Sequence, residues 1–152
     1  MKKIGTYTTR GSYNPDGGFN LDNPFRITLF DGRFDTGYKV TKFLVWGIGL
    51  DAGQDNDVLG VLATEDLGSI VMDAGDQRQI AWAANRSHTF ADVSGYVEGI
   101  VDPENMIIED LFFYGFSGDQ SISRVNYLIE MEKYDISDWQ GALAMVRNKS
   151  QG

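Results

Sequence analysis

The sequence predicts a mainly β protein: a jelly-roll-like sandwich of two sheets with one short C-terminal helix. Three observations carry this. The 18 glycines and only 3 prolines punctuate short runs rich in valine, isoleucine, threonine and aromatic residues, the pattern of short strands joined by turns. Several of those runs alternate in polarity with period two, as strands with one buried face do. Helical spacing begins only at Ser137, behind a capping signature. A length of 152 residues is that of one ordinary domain, and no internal repeat or second linker divides it. Residues 1–152 are therefore expected to form a single sandwich.

A first strand is expected near Lys3 to Thr9. The cluster Asn14-Pro15-Asp16-Gly17-Gly18, with Asp22-Asn23-Pro24, favours turns and frames a loop before a second strand at Phe25 to Phe30. The tight-turn pair Asp31-Gly32 follows. Tyr38 to Ile48 is the longest early run. Val40, Leu44, Trp46 and Ile48 share one parity and Lys39, Thr41, Phe43 and Val45 the other, so one face reads as largely apolar with Trp46 in the core. Lys42 spoils the alternation. After the acidic loop Asp51 to Asp57, strands are expected at Val58 to Thr64, Ser69 to Met72 and Arg78 to Ala84. For Gln79 to Ala84 a helical turn competes, because alanine favours helix and the run is too short for periodicity to decide.

Met106 to Phe116 is apolar on both parities, as expected of a strand covered on both faces and placed inside a sheet. Val125 to Lys133 alternates cleanly. Val125, Tyr127, Ile129 and Met131 share one face, while Asn126, Glu130 and Glu132 share the other with only Leu128 out of pattern. The polar face should meet solvent or a partner. Ser137 and Gln140 then form a capping box, Trp139, Ala142, Leu143 and Val146 fall at helical spacing, and Arg147 and Lys149 suit the negative end of the helix dipole. An amphipathic helix is predicted over 137–149. About eight to ten strands with one helix fit a two-sheet sandwich, with a jelly roll preferred over an immunoglobulin-like arrangement.

Composition narrows the chemistry. The chain has no cysteine, which excludes disulfides, thiolate nucleophiles and cysteine-ligated zinc. The formal net charge is -9, a field that opposes phosphate backbones and anionic lipid, so nucleic acid is a disfavoured partner. Lys2, Lys3 and Arg10 form a local basic cluster in residues 1–10, which read as an N-terminal arm able to act apart from the net charge. No window is apolar for long enough to span a membrane, and the polar stretch after Lys3 does not resemble the apolar stretch of a signal peptide.

Few residues carry catalytic promise. His88 is the single histidine; it lies in a polar stretch beside Ser87 and reads as an exposed loop residue. Glu130 and Glu132, two apart on a strand, project two carboxylates from one face at roughly the 6–7 Å spacing compatible with glycoside hydrolysis. The same alternation describes an ordinary solvated strand face. Asp51, Asp55 and Asp57 could gather oxygen ligands for calcium, but the spacing lacks the EF-hand order and Leu62 stands where its bidentate glutamate belongs. No metal or cofactor is expected. Trp82 is the candidate aromatic platform for a glycan or protein surface. Trp139, with Leu143 and Val146, packs either on its own sheet or into a neighbouring subunit, and joins Lys2, Lys3 and Arg10 as interface candidates.

The stretch Leu29-Phe30-Asp31-Gly32-Arg33-Phe34-Asp35-Thr36-Gly37-Tyr38-Lys39-Val40, the run Arg78-Gln79-Ile80-Ala81-Trp82-Ala83 and the segment Asn126 to Asp138 resemble small uncharacterised β-rich proteins of marine bacteriophages. The likeness covers about two thirds of the chain and contains no catalytic motif. It implies a viral origin and a capsid or capsid-associated structural protein. Such a protein would act through interfaces with copies of itself or other virion proteins, in the virion and, during assembly, in the host cytoplasm. Two other functions stay open beside it: a module that binds glycans or a host surface, and a glycoside hydrolase using Glu130 and Glu132.

Overall fold

A computed structural model describes residues 2–14, 24–29, 35–47, 56–68, 70–87, 99–117 and 124–137. Among them the chain is mainly β, without a helix. Its strands are β1 (Lys2–Tyr13), β2 (Phe25–Ile27), β3 (Thr36–Gly47), β4 (Asn56–Ala63), β5 (Gln79–Ser87), β6 (Ile100–Val101), β7 (Leu111–Ser117) and β8 (Val125–Asp135). They form a three-stranded sheet in the order β1-β8-β3 and a five-stranded sheet in the order β2-β7-β4-β5-β6. The pairings are antiparallel and nested: β1 lies against β8, β2 against β7 and β4 against β5. The predicted helix over 137–149 lies, apart from Ser137, outside the described residues.

The core between the sheets follows from alternation. Val125, Tyr127, Ile129 and Met131 of β8 are all buried, as their shared parity requires. They meet Val58 and Leu62 of β4, Leu111 and Phe113 of β7, and Ala81 and Ala83 of β5. Phe113 is the aromatic centre, tilted against Tyr127 at 4.9 Å and edge-on to Phe43 at 5.9 Å and Tyr13 at 5.6 Å between ring centroids. Burial of such a side chain contributes about 1.5–3 kcal/mol. Where the rings crowd the strands, only glycine fits. A Cβ on Gly60 would lie 2.6 Å from Val45 Cγ1, and one on Gly11 would lie 2.7 Å from the Tyr127 hydroxyl oxygen.

Strand β3 departs from its sequence pattern. Val40 pairs with Met131 and Lys42 with Glu130, leaving Thr41 as an extra residue in a β-bulge. The bulge reverses the parity: Tyr38 and Val40 face the core before it, Phe43 and Val45 after it. Leu44 and Trp46 therefore turn to the outer face, where they are half-buried. The expectation of one apolar parity running through Trp46 was incorrect, and the misplaced Lys42 sits at the break.

The five-stranded sheet is apolar on both faces, as β7 foretold. Phe112, Tyr114 and Phe116 point away from the main core, beside Val61, Ala63 and Trp82. An excursion over residues 64–68 and 70–78 covers them, bringing Leu67, Ile70 and Met72 into a second small core. Three groups pin it. The Leu67 N–H donates to the Tyr114 hydroxyl at 2.6 Å, the Thr64 N–H donates to the Arg78 carbonyl at 2.9 Å, and the buried Gln79 joins three partners. Gln79 Oε1 accepts from the Asp73 N–H at 3.0 Å and from Trp82 Nε1 at 2.9 Å, while Nε2 donates to the Val71 carbonyl at 2.8 Å.

Three boundaries are corrected. Of the strand expected at Ser69 to Met72, Ser69 lies outside the described residues, Ile70 makes only an isolated bridge, and Val71 and Met72 belong to the irregular cover, with the Val71 carbonyl taken by the Gln79 amide. The strand expected from Met106 begins at Leu111; Met106, Ile107 and Ile108 are buried in the connection before it. The second strand is only Phe25–Ile27, since the Leu29 N–H turns to Asp110 Oδ1 at 3.0 Å. Gln79–Ser87 is a strand, paired with β4 along its length, so its competing helical turn is not adopted.

Candidate interaction surface

A sheet exposes two kinds of surface, its faces and its edges, and an edge carries unpaired main-chain donors and acceptors. The two edges of the three-stranded sheet are treated differently. On the β3 side, Tyr38 and Ile107 exchange two main-chain hydrogen bonds of 2.7 Å. One step along, the buried Asn105 extends the closure: Oδ1 accepts from the Val40 N–H at 2.8 Å and Nδ2 donates to the Val40 carbonyl at 3.0 Å. That amide completes its valence on the Asp102 carbonyl at 2.6 Å. The β3 edge is thereby closed from Tyr38 to Val40.

On the other side, β1 pairs only with β8 among the described strands. It is 12 residues long, and most of it from Lys2 to Arg10 is exposed. Ile4 is 53% and Tyr7 44% exposed, high for large apolar or aromatic side chains. Its ends are guarded. At one end stand Lys2, Lys3 and a register shift at Ile4; at the other, Arg124 Nη2 donates to the Ser12 carbonyl at 2.8 Å and Nε to its hydroxyl at 2.7 Å. Residues 2–10 of the segment read as an N-terminal arm thus lie in this edge strand, with Arg10 exposed upon it. In the five-stranded sheet, the edge strands β2 and β6 have 3 and 2 residues. β2 is also fixed by Arg26, whose Nε donates to the buried Asp110 Oδ2 at 2.6 Å and whose second nitrogen forms an ion pair with the same oxygen.

The outer face of the three-stranded sheet is polar at one end and apolar at the other. Thr6, Glu132 and Lys39 form one cross-strand row, and Thr8, Glu130 and Lys42 the next. Arg10, Leu128 and Leu44 follow, then Ser12, Asn126 and Trp46. Glu130 and Glu132 do share a face, as their spacing predicts, on an open surface between lysines. Lys3 Nζ lies 2.8 Å from Glu132 Oε2. Its hydrogen bond and charge hold the Glu132 carboxyl below the usual carboxylate range and raise the Lys3 ammonium. That direction suits an ionised base or nucleophile, opposite to the raised carboxyl that a glycosidic general acid needs.

The remaining candidates are dispersed. Trp82 is half-buried, with its indole N–H committed to Gln79, so little of its ring is offered to a ligand. A shallow depression of about 410 Å³ beside the excursion is lined by Leu67, Ile70, Val71, Asp73, Asp76, Arg78 and Gln79. Its one cation is held by Asp76, which meets Arg78 Nε at 2.9 Å and Nη2 at 3.1 Å. Asp57 stands half-buried in β4, whereas Asp51, Asp55, His88, Trp139, Leu143 and Val146 lie outside the described residues. Among the described residues no group of three or more acidic or histidine side chains is placed to hold a metal ion, and no helix is long and apolar enough to cross a membrane. No family model, curated protein or solved structure matches the chain.

Sequence reasoning missed the most informative feature, the unequal closure of the two edges. Asn105 carries no local signal, since its partner Val40 is distant in sequence. The lysines at the start of β1 did carry one, as charges that guard the end of an edge.

Proposed function

We propose that the chain is a virion structural subunit of jelly-roll type, capsid or capsid-associated, that works through interfaces with other subunits in the virion and, before that, in the host cytoplasm. The observation that carries this reading is the β1 edge, which has no strand partner but β8 among the described residues, beside a β3 edge closed at Tyr38 to Val40 by Ile107 and Asn105. A long strand with uncovered main-chain groups offers hydrogen bonds to another chain, and proteins that do not use such an edge tend to block it. The nested pairing of β1 with β8, β2 with β7 and β4 with β5 supports the jelly roll, being the order produced when one long antiparallel hairpin is rolled up. In that scheme β3 would pair with β6; here it meets Ile107, just beyond β6. The resemblance to marine bacteriophage proteins supplies the viral setting.

Electron microscopy of purified particles, with sedimentation of the isolated protein, tests the proposal. The expected result is self-association or incorporation into the shell. A chain that stays monomeric at all concentrations and never joins a particle overturns it.

A further inference from the structure

We infer that the open edge of β1 pairs antiparallel with the same strand of a second copy, about a two-fold axis at Thr8, joining two three-stranded sheets into one of six. This names the partner of the surface on which the proposed function rests.

The part of the edge that has no partner among the described residues sets the register. Its lower limit is the irregularity between Lys3 and Gly5, and its upper limit is Ser12, whose carbonyl already accepts from Arg124. The stretch between, Gly5 to Gly11, contains no proline and no acidic residue, and its centre is Thr8. Pairing about Thr8 sets Gly5 opposite Gly11, Thr6 opposite Arg10 and Tyr7 opposite Thr9. Directly opposed antiparallel residues lie on the same side of a sheet, so a two-fold axis normal to the sheet preserves both faces.

Charge is compatible with this register. Thr6 is the neighbour of Glu132, whose carboxylate already meets Lys3 Nζ at 2.8 Å, and Arg10 of the second copy enters the row Arg10–Thr6–Glu132–Lys39 as a further cation beside it. It stands two strand spacings, about 10 Å backbone to backbone, from that carboxylate, within reach of an extended guanidinium across a small threonine. The two arginines are offset by four residues, about 13 Å, beyond the Debye length at physiological salt. A one-residue shift toward the start of the strand would set Arg10 against Ile4 at the bulge and lose the row.

Packing agrees. On the inner face Tyr7, opposite Met131, stacks edge-on to Tyr38 at 6.0 Å and is otherwise 44% exposed. The pairing brings the two Tyr7 rings to either side of the axis, diagonal neighbours over the joined sheet.

The absence of cysteine makes a single introduced thiol a clean probe. Residues directly opposed in antiparallel strands have Cα atoms about 4.5–5.5 Å apart, within the range a disulfide spans. Full-length Thr8→Cys, mildly oxidised, is expected to run as a covalent dimer on a non-reducing gel, and Thr6→Cys as a monomer. The unmodified chain should sediment as a dimer or larger, and Thr8→Lys should remain folded by circular dichroism and lose that association. Monomeric Thr8→Cys, or Thr6→Cys that crosslinks equally well, overturns the pairing. If the unmodified chain still self-associates in that case, the edge pairing fails alone; if it is monomeric and absent from particles, the proposed function fails with it.

Discussion

The side chain of Asn105 does for the backbone of Val40 what a neighbouring strand would do, accepting from its N–H at 2.8 Å and donating to its carbonyl at 3.0 Å. Both groups are buried, so removing the amide strands a donor and an acceptor without water. Asn105→Ala is expected to destabilise the protein by about 2–4 kcal/mol, read as a lower urea midpoint. Faster hydrogen exchange at the Val40 amide should accompany it.

Gly60 has no room for a methyl group, with Val45 Cγ1 at 2.6 Å, Phe43 Cζ at 3.0 Å and Phe113 Cε2 at 3.2 Å from an added Cβ. These are core side chains fixed by their own packing, so both sheets must part slightly. Gly60→Ala should cost about 1–3 kcal/mol. Gly5→Ala, where a Cβ meets nothing within 4 Å, should be near neutral in the same thermal denaturation assay.

The Tyr114 hydroxyl anchors the cover over the outer face by accepting from the Leu67 N–H. Burial raises its pKa above 10.0, so the fold favours the neutral phenol. This contribution is full below the unfolded value near 10 and lost as pH rises through the higher folded value. Tyr114→Phe should lower stability by about 1–2 kcal/mol at neutral pH, with increased exchange concentrated in residues 64–68. The variant should also lose part of the alkaline decline in stability.

Asp76 is lowered from its ordinary 3.8, chiefly by the hydrogen bond from Arg78. A depressed folded value means the stabilisation is present above about pH 4 and lost as pH falls through the folded pKa below it. The cover should therefore loosen only in that acid window. The indole N–H of Trp82, bonded to neighbouring Gln79, is the reporter: its NMR shift should titrate there, and Asp76→Asn should remove the response. A shift that titrates identically in both proteins would refute this coupling.

The alternation of Val125 to Met131 led directly to a buried face, because β8 is regular and paired on both sides along its length. The two-sided apolarity of Met106 to Phe116 likewise anticipated a strand with cover on both faces, which holds from Leu111 onward. β3 was misread past Val40 because one bulged residue reverses every later side chain, and the one local sign of it, Lys42 out of pattern, does not by itself distinguish a bulge from an imperfect alternation. Met106 to Ile108 looked like strand because burial alone sets their composition; they are held by Tyr38 and by packing, without an extended ladder. In the site, Glu130 and Glu132 were correctly placed on one face, but the openness of that face is a property of the assembled sheet. Edge closure depends on contacts between distant segments, such as Asn105 with Val40, and periodicity cannot report it.

The register of β1 on β8 opposes Lys2 to Asp135 and Tyr13 to Val125. A strand made first must wait for one made last before its inner hydrogen bonds can form. At common rates of synthesis that wait is on the order of ten seconds, during which β1 has neither its own partner nor a finished sheet to join. Contacts so far apart along the chain also slow folding in the test tube. Charges at the end of a strand disfavour its pairing with other chains, so those of Lys2 and Lys3 would act on the nascent strand as well as on the folded sheet.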